Sequence, residues 1–163
     1  MAEAVALFLK LNGTDVQGDN SQSSLGRANS IEVLSWSWAA EAPTTASGAP
    51  AGQRIMGEVK FVQRIDKSTP LLFKGFTNSD IALGLFKFYR ANPVGDGTTE
   101  QFFTFLGEQG RITSLNNWVP DTINPATATM PPLVQFTMRF NKVTQTYENG
   151  GITHVWDVGG SGA

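Results

Sequence analysis

Cysteine is absent from this sequence, which removes disulfides, thiol nucleophiles and thiolate metal ligands but leaves the compartment open. Charge is sparse. Asp, Glu, Lys and Arg make up 16% of the 163 residues, against about 25% in an average soluble protein. Gly, Ser, Thr and Asn take their place, and a surface so composed is weakly hydrated and easily buried against another protein. The twelve Lys and Arg are scattered singly and the net charge is −2. The basic stripe that nucleic acid or an anionic membrane surface requires is missing, so neither is an expected partner. No apolar run approaches the roughly 20 residues of a membrane-spanning helix, so no membrane insertion is expected. The first residues lack a basic n-region and Lys10 interrupts the short apolar run. No cleavable secretory signal is expected, and export from the cytoplasm would need a route that reads the folded protein.

Catalytic raw material is equally thin. His154 is the one histidine, and no G-x-S-x-G elbow accompanies it. On a strand, His154 and Asp157 point to opposite faces because an odd number of residues separates them. One His and no Cys cannot build a zinc site, and no calcium loop or phosphate-cradling glycine motif is present. We expect no enzyme activity, no metal and no cofactor.

What is present is alternation at period two. Val5, Leu7, Leu9 and Leu11 share one face of a first strand. Residues 31–38 (IEVLSWSW) predict a second, with Leu34, Trp36 and Trp38 on one side and Ser35 and Ser37 on the other. Further strands are predicted over 57–66, 81–90, 100–108, 111–119 and 132–142, the last with Val134, Phe136, Met138 and Phe140 on one face. Residues 143–148 and 152–158 flank Asn149-Gly150-Gly151, a hairpin turn because those residues accept positive φ cheaply. Ser68-Thr69-Pro70 predicts an N-cap for one short helix ending near 77–79. The expected fold is all-β: a small barrel or two-sheet sandwich with one short flanking α-helix, in a single domain over 1–163. Two long loops interrupt it, 12–30 and 39–56, and a glycine-rich tail covers 159–163. Loops of that length are functional or disordered.

Some strands are apolar on both faces. Phe86 and Phe88 lie opposite Ile81, Leu83 and Leu85, and Phe102 and Leu106 opposite Phe103 and Phe105. A solitary antiparallel sheet keeps one polar face, so the second face must meet the helix, another sheet or another chain. Trp36, Trp38, Trp118 and Trp156 read as core or interface anchors ahead of a sugar-stacking platform.

The sequence Ser35-Trp36-Ser37-Trp38, a Gly/Ala-rich loop, Asp66-Lys67-Ser68-Thr69-Pro70 and the closing Trp156-Asp157 resemble the hemolysin-coregulated protein (Hcp) family of bacterial type VI secretion systems. The resemblance implies a barrel subunit that forms homohexameric rings. It also implies that rings stack into an inner tube, that spike and sheath proteins are partners, and that small effector proteins ride in the ring lumen. On that reading the loop 39–56 makes the contacts between rings, through Pro43, Thr44, Thr45, Ser47, Gly48, Pro50 and Gln53, and the subunit is secreted through its own apparatus. A phage-like tail-tube protein and a carbohydrate-binding β-sandwich are the alternative readings. The stretch 81–132 departs from the family pattern in its richness in Phe and its Pro/Thr-rich loop near 121–131.

Overall fold

The computed structural model describes residues 3–159. Most of the expected glycine-rich tail, residues 160–163, lies outside the described residues. In chain order the elements are β1 (Ala4–Leu11), β2 (Thr14–Val16), a 3-10 turn (Ser24–Gly26), β3 (Ile31–Ser37), β4 (Ala40–Glu41), β5 (Ile55–Met56) and β6 (Val59–Arg64). Then come α1 (Thr69–Thr77), β7 (Ala82–Ala91), β8 (Thr99–Trp118), β9 (Leu133–Arg139), β10 (Lys142–Tyr147) and β11 (Ile152–Asp157).

Antiparallel pairing runs β8-β7-β1-β3-β6-β9, and β9 pairs back onto β8 to close a barrel. The alternating apolar residues supply its interior: Leu7, Leu9 and Leu11 from β1, Val134, Phe136 and Met138 from β9, and Phe61, Phe86 and Phe105. Aromatic edges meet faces throughout; Phe86 lies 5.6 Å from Phe61 and 6.1 Å from Phe105 between ring centroids. Such pairs add about 0.5–1.5 kcal/mol each beyond area burial. The β10–β11 hairpin is a leaf outside the barrel, attached through β10 to the first half of β8.

The segments 100–108 and 111–119, expected as two strands, are one strand of 20 residues. Its first half pairs with β7 and β10 and its second half with β9. The bend between them falls at Gln109, whose φ of 53° lies in the left-handed region. Opposite the bend the chain passes from β9 to β10 through Phe140, only 2% exposed. Its ring lies on a floor of glycines. A Cβ on Gly107 or on Gly110 would stand 2.5 Å from a Phe140 ring carbon, and one on Gly84 would stand 3.1 Å from it. Strand glycines mark such close approaches.

Strand β3 also departs from the alternation. Val33 pairs with Gln63 but Ser35 pairs with Val62, so a bulge takes up one extra residue at Leu34. A bulge leaves its extra residue off the ladder's alternation. Leu34, expected beside Trp36 and Trp38, is therefore 44% exposed, while Ile31 and Val33 before it point inward and Trp36 after it packs on the core. Trp38 falls just beyond the strand.

Loop 12–30 is packed. It crosses the outside of the barrel with Arg27 only 3% exposed, its guanidinium 4.5 Å over the ring of Tyr89. Burial pushes the Tyr89 phenol up, against the opposing pull of Arg27. Gly18 sits so close to Ser30 that a Cβ there would stand 2.8 Å from the Ser30 carbonyl oxygen.

Candidate assembly surfaces

The residues singled out by the sequence divide between an internal junction and the surface. Asp66, Lys67, Ser68, Thr69 and Pro70 form the junction. Ser68, expected as the helix N-cap, has helical dihedrals and makes no capping bond to the helix. Asp66 holds the start instead. Its Oδ1 accepts from the Ser68 amide at 2.8 Å, and its amide donates to Thr69 Oγ1 at 3.1 Å. Its Oδ2 accepts from the amide of Asp19 at 3.0 Å and so ties the packed loop to the helix. Gln63 Nε2 donates to Ser68 Oγ at 2.9 Å, and Ser68 Oγ in turn donates to Asp66. Lys67 reaches Asp19 at 3.4 Å. Every oxygen of the Asp66 carboxylate is thus committed to holding strand, loop and helix together. Asp66→Ala removes a charged acceptor and leaves part-buried donors unmatched. The expected loss is about 3 kcal/mol of stability, measured by denaturant unfolding, with Asp66→Asn retaining part of it.

Of the motif tryptophans, Trp36 is packed among Phe86, Phe88 and Phe105 at 5.9, 5.1 and 5.0 Å. Half-buried and packed against the core on these rings, Trp36 acts as an anchor. Ser35 and Ser37 alternate with it on the exposed side. Trp118 ends β8 opposite Leu133. Trp38 and Trp156 come together with Arg54, Val143, Gln145 and His154 around an open cleft of about 410 Å³ between the leaf and the root of loop 39–56. His154 is exposed beside Gln145, its cross-strand neighbour. Asp157 pairs across the hairpin with Lys142, away from that imidazole, and accepts from the Gly159 amide at 2.9 Å.

Loop 39–56 is an ordered arm, not a structureless excursion. Ala40 and Glu41 pair with Met56 and Ile55, and Thr44 bridges to Pro50. The Gly57 amide donates to the Ala39 carbonyl at 2.9 Å, Ala51 to Pro43 at 2.9 Å and Thr45 to Ala49 at 2.8 Å. The tip turns at Gly48, with φ of 84°. At the root only glycine fits at position 57, where a Cβ would stand 2.2 Å from the Ala39 oxygen. Thr44, Thr45, Ser47, Gly48, Pro50 and Gln53 are exposed, and Pro43 half-buried, so all seven expected contact residues lie along this one projection.

The two-faced strands leave a second surface that the sequence flagged without locating. The register aligns Phe8, Leu85, Leu106, Thr144 and Val155 in one row across β1, β7, β8, β10 and β11, on the outside of the sheet. The packed loop covers Tyr89 further along the same face through Arg27. The helix does not cover the row. Thr69, Leu72 and Gly75 are its buried positions, while Phe73 is 54% exposed. Antiparallel sheets commonly solvate one face, but with polar side chains there.

A barrel closed by one long bent strand, with a hairpin arm and a leaf outside it, is the architecture of the Hcp fold. The chain superposes on Hcp1 from E. coli EAEC 042 pathovar with a TM-score of 0.82 and 28% identity, covering 96% of this chain and 99% of that one. The secreted protein Hcp3 of Pseudomonas aeruginosa shares the fold at 16% identity, with a TM-score of 0.72 over 96% and 98% of the two chains. In sequence, 106 residues are 27% identical to the Major exported protein of Pseudomonas aeruginosa, 64% of this chain and 60% of that protein. The alignment thus spans less than two thirds of that relative's length. Residues 8–147 match the family described as "Type VI secretion system effector, Hcp", and the chain belongs to that family.

Proposed function

We propose that this protein assembles into hexameric rings that stack into the inner tube of a type VI secretion system, with small effector proteins held in the ring lumen. Family membership makes it a secreted tube-type protein. The observation that supports the ring is the row Phe8–Leu85–Leu106–Thr144–Val155 on the outer sheet face, half-buried along β1, β7 and β8 and exposed at Val155. Burying such surface contributes about 25 cal/mol per Å² before the costs of association. A heterologous interface of this kind forms rings when its rotation closes. The arm supplies contacts between rings, and the spike and sheath of the apparatus are its further partners.

Light scattering on the purified protein tests the ring; a monomer at micromolar concentration overturns it. Val155→Glu places a charge on the exposed end of the row, where the barrel interior is untouched. Its expected result is a folded protein with smaller mass in solution. His154→Ala, by contrast, is expected to change neither the mass nor secretion, and loss of secretion by a folded, still-hexameric variant would contradict a purely structural subunit.

A further inference from the structure

The sequence contains two Asn-Gly pairs, Asn12-Gly13 and Asn149-Gly150. The chemistry of this dipeptide is general. The glycine amide nitrogen, unobstructed by a side chain, attacks the asparagine Cγ, a new N–C bond closes a succinimide, and the side-chain nitrogen leaves as ammonia. Water then opens the ring at either carbonyl, giving aspartate or isoaspartate. No oxidant or enzyme is needed. The asparagine carboxamide must, however, be free to turn toward the following amide.

Both pairs lie in exposed turns, yet the fold treats them differently. Asn12 is clamped from both ends. Its Nδ2 donates to Asp80 Oδ1 at 2.8 Å, and its Oδ1 accepts from the Ile81 amide at 2.8 Å. Its own amide donates to the Ile81 carbonyl at 2.9 Å. Asn149 is exposed at the tip of the β10–β11 leaf, and among the described residues nothing holds its carboxamide. Two glycines follow it, Gly150 at φ 95° and Gly151 at φ 64°, and inside the last ladder pair, Tyr147 with Ile152, the turn carries the bond from the Gly151 amide to the Glu148 carbonyl at 3.2 Å.

We propose that Asn149 is a site of spontaneous deamidation, and that Asn12, the same dipeptide in the same chain, is protected by its clamp. Conversion makes each subunit one charge more negative than its present −2. The new carboxylate sits beside Glu148, whose own carboxylate already accepts from Thr104 and Gln101 across the leaf. The isoaspartate form also adds a backbone carbon to the turn, next to the last leaf pair, Tyr147 with Ile152. Older subunits therefore differ from newly made ones in charge and turn geometry at the leaf tip. This inference stands apart from the ring and holds for a monomer as well.

Trypsin separates the two positions, since Asn12 falls in peptide 11–27 and Asn149 in peptide 143–163. The folded protein is aged at mildly alkaline pH, digested, and followed by mass spectrometry with fragmentation to place each change. Peptide 143–163 is expected to exchange nitrogen for oxygen at Asn149 with time. Asn12 is expected to convert about tenfold or more slowly, the rate equivalent of first breaking two hydrogen bonds. In denaturant the two rates should come together, and Asp80→Ala should speed Asn12 in the folded chain. Equal rates in the folded protein, an unchanged Asn149, or a difference that persists in denaturant would each overturn the proposal.

Discussion

Replacing residues 43–52 by a Gly-Ser pair is expected to leave single rings intact and to abolish their stacking into tubes. The arm runs from Ala40 to a tip near Gly48, and at about 3.3 Å per residue it reaches at most roughly 26 Å from its root. That is enough to cross onto a neighbouring subunit. Its charged residues, Glu41 and Arg54, both lie near the root, and none lies between them, so docking the tip desolvates no ion. The main-chain bonds across it and the two prolines order it in advance, which lowers the entropy lost on docking. None of the buried core residues lies between 43 and 52, Met56 at the root being the nearest, so the barrel should fold without the tip. Electron microscopy under conditions where the parent protein stacks reads the outcome. Tubes of normal length from the shortened protein would make the arm a passive excursion. Loss of the rings themselves would place its contacts within a ring.

Much of the barrel was legible because its strands are amphipathic with a strict period. Val134, Phe136, Met138 and Phe140 announce a buried face, and all four are buried. The hairpin at Asn149-Gly150-Gly151 follows from residues that accept positive φ, which Gly150 and Gly151 adopt. The departures came where a single residue breaks the period for a reason in three dimensions. Leu34 is displaced by a bulge that depends on the register against β6, and no local pattern reports register. Gln109 adopts a left-handed conformation without being glycine, so a bend in a continuous strand reads as an end and a new beginning. Its position in Ser-Thr-Pro points to Ser68 as the cap, while the bond-making oxygens belong to Asp66, whose partners come from residues 19 and 63 as well as 68. The arm was legible as a long uncharged loop with prolines, but its hairpin pairing is carried by main-chain bonds that Ala, Thr and Ser do not signal. The apolar row was detectable as an excess of Leu and Phe on the wrong parity, and only the cross-strand register brings its members into line.

Gly107→Ala is expected to destabilise the protein by about 3 kcal/mol, at the upper end for inserting a methyl group into a packed core. The reason is the Phe140 ring. A methyl carbon at position 107 would stand within 2.6 Å of three of its ring carbons, Cγ, Cδ1 and Cδ2. Sliding along the sheet gives the ring little relief, because it already lies close over Gly110 and Gly84, where a Cβ would stand 2.5 Å and 3.1 Å from it. It cannot swing outward either, since Phe140 is the connection between β9 and β10 and its neighbour Asn141 is tied to Glu108 and Val158 through the main chain. The clash is therefore passed to the bend of β8, where barrel and leaf share one strand. Global stability of a small domain is about 5–15 kcal/mol, so the variant should unfold at clearly lower denaturant while remaining folded in buffer. A double-mutant cycle identifies the cause. Phe140→Leu alone should destabilise through the lost ring. Combined with Gly107→Ala it should cost less than the two effects added, by about 1–2 kcal/mol, because the smaller side chain vacates the space the methyl enters. Additive effects would mean that glycine is needed at 107 for its backbone and not for the ring. Because the leaf carries Val155 and the barrel carries Phe8, Leu85 and Leu106, the same contact keeps the apolar row straight. Gly107→Ala should then weaken ring formation even at temperatures where the subunit is fully folded.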